Sequence, residues 1–189
     1  MPNSVPIQFG FDGKPSNWSS KETFAFIILA MNLGIYFLYN LIPIIDPKKK
    51  ININGNIYFK LKFWVITFIS AISIVLIEYA IDNQFESTDI LNLFAGLLFI
   101  VIGNYMQTIP QNYFIGIKTP WTLSNELVWK KTHEFGGKLI FIAGVVMCFL
   151  YIIHKSNSIL FLTAILLSVI IPILYSYYIY QKMENEVIK

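Results

Sequence analysis

Apolar residues in this chain are gathered into five long runs, which short polar segments separate. The runs occupy residues 24–45, 63–81, 90–106, 139–153 and 159–180. A helix needs about 20 apolar residues, within a range of about 17 to 25, to cross the hydrocarbon core of a bilayer. The first, second and fifth runs meet this length. The third lies at its lower limit, and the fourth crosses only if Gly136, Gly137 and a snorkelling Lys138 extend it. The pattern predicts an all-α fold, a polytopic membrane helix bundle with five transmembrane helices.

The residues before the first run follow a different pattern. Apolar side chains alternate with other residues from Val5 to Phe11, as in a short β-strand, and Asp12 and Gly13 are typical of a turn. We therefore divide the chain into a short polar N-terminal segment, residues 1–21, and a helix bundle, residues 22–189.

Small residues recur on one side of the later runs at intervals that suit close helix packing. The set comprises Asn92, Gly96 and Gly103 in the third run, Gly137, Gly144 and Cys148 around the fourth, and Ala164, Ser168, Pro172 and Ser176 in the fifth. In lipid, such residues let helix backbones approach one another. Asn32 and Asn40 in the first run are expected to hydrogen-bond across helices, as packing residues and not as a transport path.

The composition agrees with a membrane protein. Hydrophobic residues make up 56% of the chain and charged residues only 13%. All fourteen basic residues are Lys, so there is no guanidinium group for bidentate recognition of phosphate. Because the net charge is also only +3, we expect the lipid bilayer, and not a nucleic acid, to surround this chain.

The positions of the lysines predict the orientation of the bundle. Eleven of the fourteen lie in residues 46–62, in residues 103–138 and in the C-terminal tail, whereas Lys14, Lys21 and Lys155 lie on the other side. Cytoplasmic loops are enriched in Lys and Arg. We therefore expect the N-terminus to lie outside the cell and the C-terminus in the cytoplasm.

Several of the less common residue types are concentrated in residues 103–137. Pro110 is expected to end the third helix, and Thr119 or Thr122 can cap a following helix that has Pro120 in its first turn. We expect this helix to lie at the cytoplasmic membrane interface. Its winding puts Asn125, Trp129 and His133 in one row and Trp121, Val128 and Phe135 in another. The second row is expected to lie against lipid or the bundle, and the first row to face a cleft or a partner.

Within this segment, the run IGIKTPWTLSNELVWKKTHEFGGKL resembles the signature of the SdpI-type immunity proteins, bacterial membrane proteins that protect a cell from a peptide toxin. The matching residues are Gly116, Thr119, Pro120, Trp121, Thr122, Asn125, Glu126, Trp129, Lys130, Thr132, His133, Gly136 and Gly137. Residues 103–105 also fit, and we call residues 103–137 the signature loop. Residues 5–21 are similar to the polar segment that follows the first membrane helix of that family, which implies a further helix upstream.

The resemblance implies a binding protein of the bacterial cell membrane and not an enzyme. It implies that a peptide toxin is recognised at or in the membrane and that a cytoplasmic regulator contacts the signature loop. The candidate binding residues are Asn125, Glu126, Trp129, Lys130 and His133, on a loop shaped by Gly116, Thr119, Pro120, Trp121 and Thr122.

A small membrane transporter or a membrane enzyme is the alternative. It would use the same polar face, where His133 and a neighbouring carboxylate could exchange protons, or Glu78 within the second apolar run. An ionised carboxylate is costly in a membrane, which favours a functional role for Glu78. Glu78 is also only three residues from the end of its run, so snorkelling to the outer interface is the other interpretation.

His133 and Glu134 match the start of a zinc peptidase motif, but that motif needs a second His at position 137, which is Gly. The other His, His154, is expected about one membrane thickness away. We therefore expect no metal, no cofactor and no catalytic residue.

Overall fold

The computed structural model describes residues 1–10, 15–48, 56–81, 87–153 and 158–187. Two strands, β1 (Ser4–Phe9) and β2 (Pro15–Ser20), precede six helices. The helices are α1 (Lys21–Ile45), α2 (Asn56–Ile81), α3 (Ser87–Met106), α4 (Pro120–Ser124), α5 (Glu126–Ile152) and α6 (Ser158–Val187). Each of the five apolar runs therefore forms a helix, as predicted.

Four of these helices, α1, α2, α5 and α6, are long and apolar enough to cross a membrane. In α3 the apolar part, Ile90–Met106, is shorter. The structure thus agrees with a multi-pass membrane bundle, and the fifth span stays a prediction. α3 packs mainly against α5, which also packs on α6, so α5 lies at the centre of the bundle.

The N-terminal segment forms an antiparallel hairpin in which Ser4 pairs with Ser20 and Phe9 with Pro15. Val5 is buried against Phe24 of α1 and Ala80 of α2, which fixes the hairpin to one end of the bundle. The strand predicted from Val5 onwards is confirmed, whereas the description all-α omits β2. The sequence of β2, PSNWSS, has no apolar alternation, and it becomes a strand because β1 offers it a partner. The turn predicted at Asp12 and Gly13 lies outside the described residues.

Glycines bring the backbones of α3 and α5 into direct contact. A Cβ atom on Gly144 would lie 2.5 Å from the carbonyl oxygen of Gly96, and one on Gly137 would lie 2.7 Å from that of Gly103. Real Cβ atoms do not approach so closely, so larger side chains would force the helices apart. The packing role predicted for these four glycines is confirmed.

Polar side chains hold α1 to α2 within the apolar region. Asn32 donates to the hydroxyl of Ser73 at 2.8 Å and accepts from that of Ser70 at 3.0 Å. Nearer the other end of α1, Lys62 donates to the side-chain oxygen of Asn40 at 2.7 Å. The prediction that both Asn residues hydrogen-bond between helices is therefore confirmed, and such bonds stabilise helix pairs in lipid by about 1 kcal/mol each.

The helix predicted after Pro120 is not a separate interfacial helix. It is divided at Asn125, whose extended backbone ends α4 after five residues and whose side-chain oxygen accepts from the N–H groups of Leu127 and Val128 to begin α5. From Glu126, α5 continues without a break through the fourth apolar run. Trp121 consequently lies on α4 and does not share a helical row with Val128, which corrects the predicted arrangement.

Candidate functional site

After the end of α3, the signature loop makes a tight turn built on Asn112, which is fully buried. Its side-chain oxygen accepts from the N–H groups of Phe114 and Ile115 at 2.8 and 2.7 Å, and its amide donates to the carbonyls of Pro110 and Ile115. Asn side chains commonly organise turns in this way. Asn112 was not among the predicted turn residues, although Pro110 and Asn112 are both of residue types that favour turns.

Gly116 brings the loop into contact with α5. Its φ of 118° lies in the region that favours glycine, and a Cβ there would lie 2.2 Å from Nε2 of His133. The next residue, Ile117, donates its N–H to that nitrogen at 3.0 Å. Gly116 is thus required both for the backbone conformation and for the close approach to His133.

His133 and Trp129 form a buried, stacked pair on α5, with ring centroids 3.9 Å apart. Because Nε2 of His133 accepts a hydrogen bond, the ring proton lies on Nδ1, which donates to the carbonyl of Trp129 at 2.8 Å. The indole N–H of Trp129 donates to the carbonyl of Ile109 at 2.9 Å. Both side chains therefore tie the part of the signature loop that precedes α4 to α5, and the imidazole is neutral in this arrangement.

Thr119 and Thr122 form the cap that was predicted at the start of the helix. The hydroxyl of Thr119 accepts from the N–H of Thr122 at 3.2 Å, and the N–H of Thr119 donates to the hydroxyl of Thr122 at 2.8 Å. Pro120 occupies the first turn. The hydroxyl of Thr122 also bonds the carbonyl of Ile117 at 2.9 Å, so the cap closes the loop onto α4.

Trp121 joins α4 to α6. Its indole N–H donates to the hydroxyl of Ser176 at 2.6 Å, and its ring packs on those of Tyr177 and Tyr180. These contacts, together with Gly136 against Pro172, fix the position of the signature loop relative to the last helix.

An open cleft of about 590 Å³ lies between the end of α3, the following loop and the start of α5. It is lined by Gln107, Thr108, Ile109, Pro110, Gln111, Glu126, Leu127, Trp129, Lys130 and His133. Trp129 and His133 form a floor that is 3% and 1% exposed, whereas Glu126 and Lys130 are exposed at its rim. The cleft therefore presents two opposite charges above an aromatic base.

The structure brings together four of the five candidate binding residues at this cleft. The fifth, Asn125, does not line it and instead caps α5. The predicted site residues did not include Gln107, Thr108 or Gln111, which lie within five residues of the end of the third apolar run. Polar residues at the end of a span mark the membrane interface, and this signal could have placed them beside the candidate binding residues.

Electrostatics around the cleft are those of a solvated surface. Lys130 lies 3.9 Å from Glu134 one turn further along α5, and both side chains are largely exposed. Such exposed pairs contribute about 0.3 to 0.5 kcal/mol. The pair therefore directs the Lys130 ammonium towards Glu134, while the ammonium stays charged and in contact with solvent.

Other candidate residues lie away from the cleft. Glu78 is exposed near the end of α2 that packs on the hairpin, at the opposite end of the bundle. Within the described ranges, no group of three or more His, Cys, Asp or Glu side chains is placed to hold a metal ion. His154 lies outside those ranges.

The apolar helices and the polar hydrogen bonds between them define a multi-pass membrane protein whose loop chemistry is concentrated at one end. Residues 108–176 match the model of the SdpI/YfhL protein family. The chain is also 30% identical over 188 residues to "Immunity protein SdpI" of Bacillus subtilis (strain 168), an alignment that covers 98% of this chain and 87% of that protein. The chain belongs to the SdpI/YfhL protein family. No solved structure matches it.

These comparisons confirm the resemblance that the signature loop indicated. They also support a multi-pass protein of the cell membrane, in agreement with the apolar helices. The match to the family model contains most of the signature loop, α4, α5 and much of α6. The cleft is therefore built almost entirely from the part of the chain that the family shares.

Proposed function

We propose that this protein makes its cell immune to a peptide toxin by binding a partner at the membrane and not by catalysis. The observation that carries the proposal is the cleft at Glu126, Trp129, Lys130 and His133, because it joins the residues of the signature loop into one accessible surface. The relationship to a protein named for immunity supports the biological role.

The proposal includes an arrangement in the membrane. Five helices cross it, with the hairpin outside and the cleft end facing the cytoplasm, since the lysine-rich segments meet at that end. Lys48, from the connector after α1, donates to the carbonyl of Leu123 in the signature loop, which supports one common side for both segments. A toxin is then engaged within the membrane or at its inner surface, and a cytoplasmic regulator can contact the same loop.

Binding is preferred to catalysis because of how His133 is held. A general base needs a nitrogen that is open to the substrate, but both ring nitrogens of His133 are engaged with backbone groups. Glu126 and Lys130 carry charges that are exposed at the rim. Such groups recognise charged or polar groups of a partner, and the aromatic base below them offers apolar contact.

A challenge assay with matched variants tests the proposal. The protein is expressed in cells that lack their own copy, which are exposed to the secreted peptide fraction of the bacterium that encodes it. In Glu126→Gln and in Lys130→Gln, the highest toxin dose that the cells survive should fall by about tenfold. This is the effect of losing roughly 1.4 kcal/mol of binding free energy. Membrane abundance should stay normal, because both side chains are exposed.

Lys131→Gln is the matched control. It removes a lysine charge from the same exposed part of α5 but does not line the cleft, so protection should be retained. Full protection by both cleft variants would rule out the cleft as the recognition surface. Loss of protection in one cleft variant alone, with its protein fully present, would identify the charge that the partner requires.

A further inference from the structure

One side chain from outside the family match reaches into the signature loop. Lys48 follows α1 in the chain, and its ammonium donates to the side-chain oxygen of Gln111 and, at 2.8 Å, to the carbonyl of Leu123. It also lies 5.6 Å from the centroid of the Tyr113 ring. A segment that precedes the second span is therefore bonded to both sides of the loop.

Gln111 transmits this contact to the cleft. Its amide donates to the carbonyls of Thr122 and Leu123 at 2.7 and 3.0 Å, and its buried side chain is part of the cleft lining. Lys48 thus completes a network that connects residue 111, before the turn at Asn112, with residues 122–123, after the cap at Thr119. Hydrogen bonds that involve a charged donor are about twice as strong as neutral ones, so this network depends on the ammonium group.

The apolar residues next to Lys48 make the same connection. Ile42 of α1 and Tyr58 of α2 are buried together, and Phe114 and Ile115 of the signature loop pack on them. The hydroxyl of Tyr58 also donates to the carbonyl of Tyr39. The ends of α1 and α2 therefore form a surface on which the loop packs. Lys48 adds polar contacts between this surface and the loop.

We propose that Lys48 is a positioning residue for the cleft. It acts through Gln111 and Leu123 to hold residues 107–111, which line one side of the cleft, at the distance from α5 that recognition requires. This inference rests on the proposed function for its biological consequence, although the geometry can be tested separately. It extends the recognition site beyond residues 108–176, to a connector that the family model does not match. Lys48 does not line the cleft, so its effect on a partner is indirect.

Thiol labelling at residue 123, whose carbonyl accepts from Lys48, reports whether this contact holds the loop in place. Leu123→Cys is made together with Cys148→Ser, so that one thiol remains, and the purified protein is placed in lipid nanodiscs. Leu123 is half-buried, next to the buried pair Ile109 and Trp129. In Lys48→Met the rate of maleimide labelling should rise about tenfold, the factor expected when a hydrogen bond to a charged donor is lost. Lys48→Arg, which keeps a charged donor, should restore slow labelling.

Lys62→Met is the matched control. Its ammonium bonds Asn40 and lies 5.0 Å from the centroid of the Tyr36 ring, so it links α1 to α2 near the same end without these contacts to the signature loop. Labelling in this variant should stay at the starting rate. Lys48→Met combined with Gln111→Leu should label about as fast as the faster single variant, because both changes break one network.

The outcomes separate this inference from the proposed function. Faster labelling together with weaker toxin protection supports both. Faster labelling with full protection supports the positioning role and contradicts the cleft as the protective site. Labelling at the starting rate in Lys48→Met, or equal acceleration by Lys62→Met, overturns the positioning role. If Lys48→Met does not accumulate, the same comparison is made with Gln111→Leu, which removes the acceptor; unchanged labelling there overturns the inference as well.

Discussion

Gly116→Ala is expected to destabilise the signature loop strongly, although it adds only one methyl group. The backbone φ of 118° is unfavourable for alanine, which costs about 1 to 3 kcal/mol. The added Cβ would also lie 2.2 Å from Nε2 of His133 and so displace the hydrogen bond from Ile117, and buried groups left unpaired cost about 1 to 3 kcal/mol. Together these effects amount to about 2 to 6 kcal/mol.

The assay is unfolding of the purified protein in mixed micelles by increasing SDS, followed by tryptophan fluorescence. Gly34→Ala is the control, because nothing lies within 4 Å of a Cβ at that helical position. Alanine there should be neutral or stabilising by up to about 1 kcal/mol. If Gly116→Ala unfolds at the same SDS fraction as the unaltered protein, Gly116 does not pack against His133 and the Ile117 hydrogen bond does not contribute to stability. A fall in stability of Gly34→Ala would show that the assay reports glycine replacement in general.

Three further predictions concern other parts of the molecule. Trp129→Phe keeps an aromatic ring next to His133 but replaces the indole with a smaller ring and loses the N–H that bonds Ile109. Its unfolding free energy should fall by at least about 1 to 3 kcal/mol, whereas an unchanged value would show that this bond contributes nothing. Asn32→Leu should weaken the contact between α1 and α2 by about 1 kcal/mol, which faster proteolysis of α1 in detergent would reveal. Asn40→Leu, which loses the bond from Lys62, should have a similar effect, and unchanged proteolysis of both variants would contradict the role of these bonds. Reporter fusions should place the N-terminal end of the chain outside and the C-terminal end inside; the reverse pattern would contradict the proposed orientation.

The position of Trp129 changes how its loss should be interpreted. From the helical row alone, Trp129 was expected to face a cleft or a partner, and it does line the cleft. It is nevertheless almost fully buried, and its indole N–H is bonded within the protein. A loss of protection in Trp129→Ala would therefore report damage to the loop as well as to recognition. Glu126 and Lys130 are the better probes, because they line the cleft and are exposed, whereas Trp129 is buried.

The sequence by itself determined the membrane class, the helical positions and the family. These properties depend on local patterns: the length of an apolar run decides whether a helix can cross a bilayer, and the residues of the signature loop are contiguous in the chain. The cap at Thr119 and Pro120 was predictable for the same reason, since both its donors and its acceptors lie within four residues.

Only the tertiary structure decided which distant residues meet. The contact of Lys48 with Gln111 spans 63 positions, and the bond between Trp121 and Ser176 spans 55, so no local pattern encodes either of them. The break at Asn125 was equally hidden, because a helical continuation and a cap both satisfy the local backbone, and the packing of α4 on α6 selects between them. The cleft exists because these long-range contacts hold the loop against α5, while the residues that line it come from separate parts of the chain.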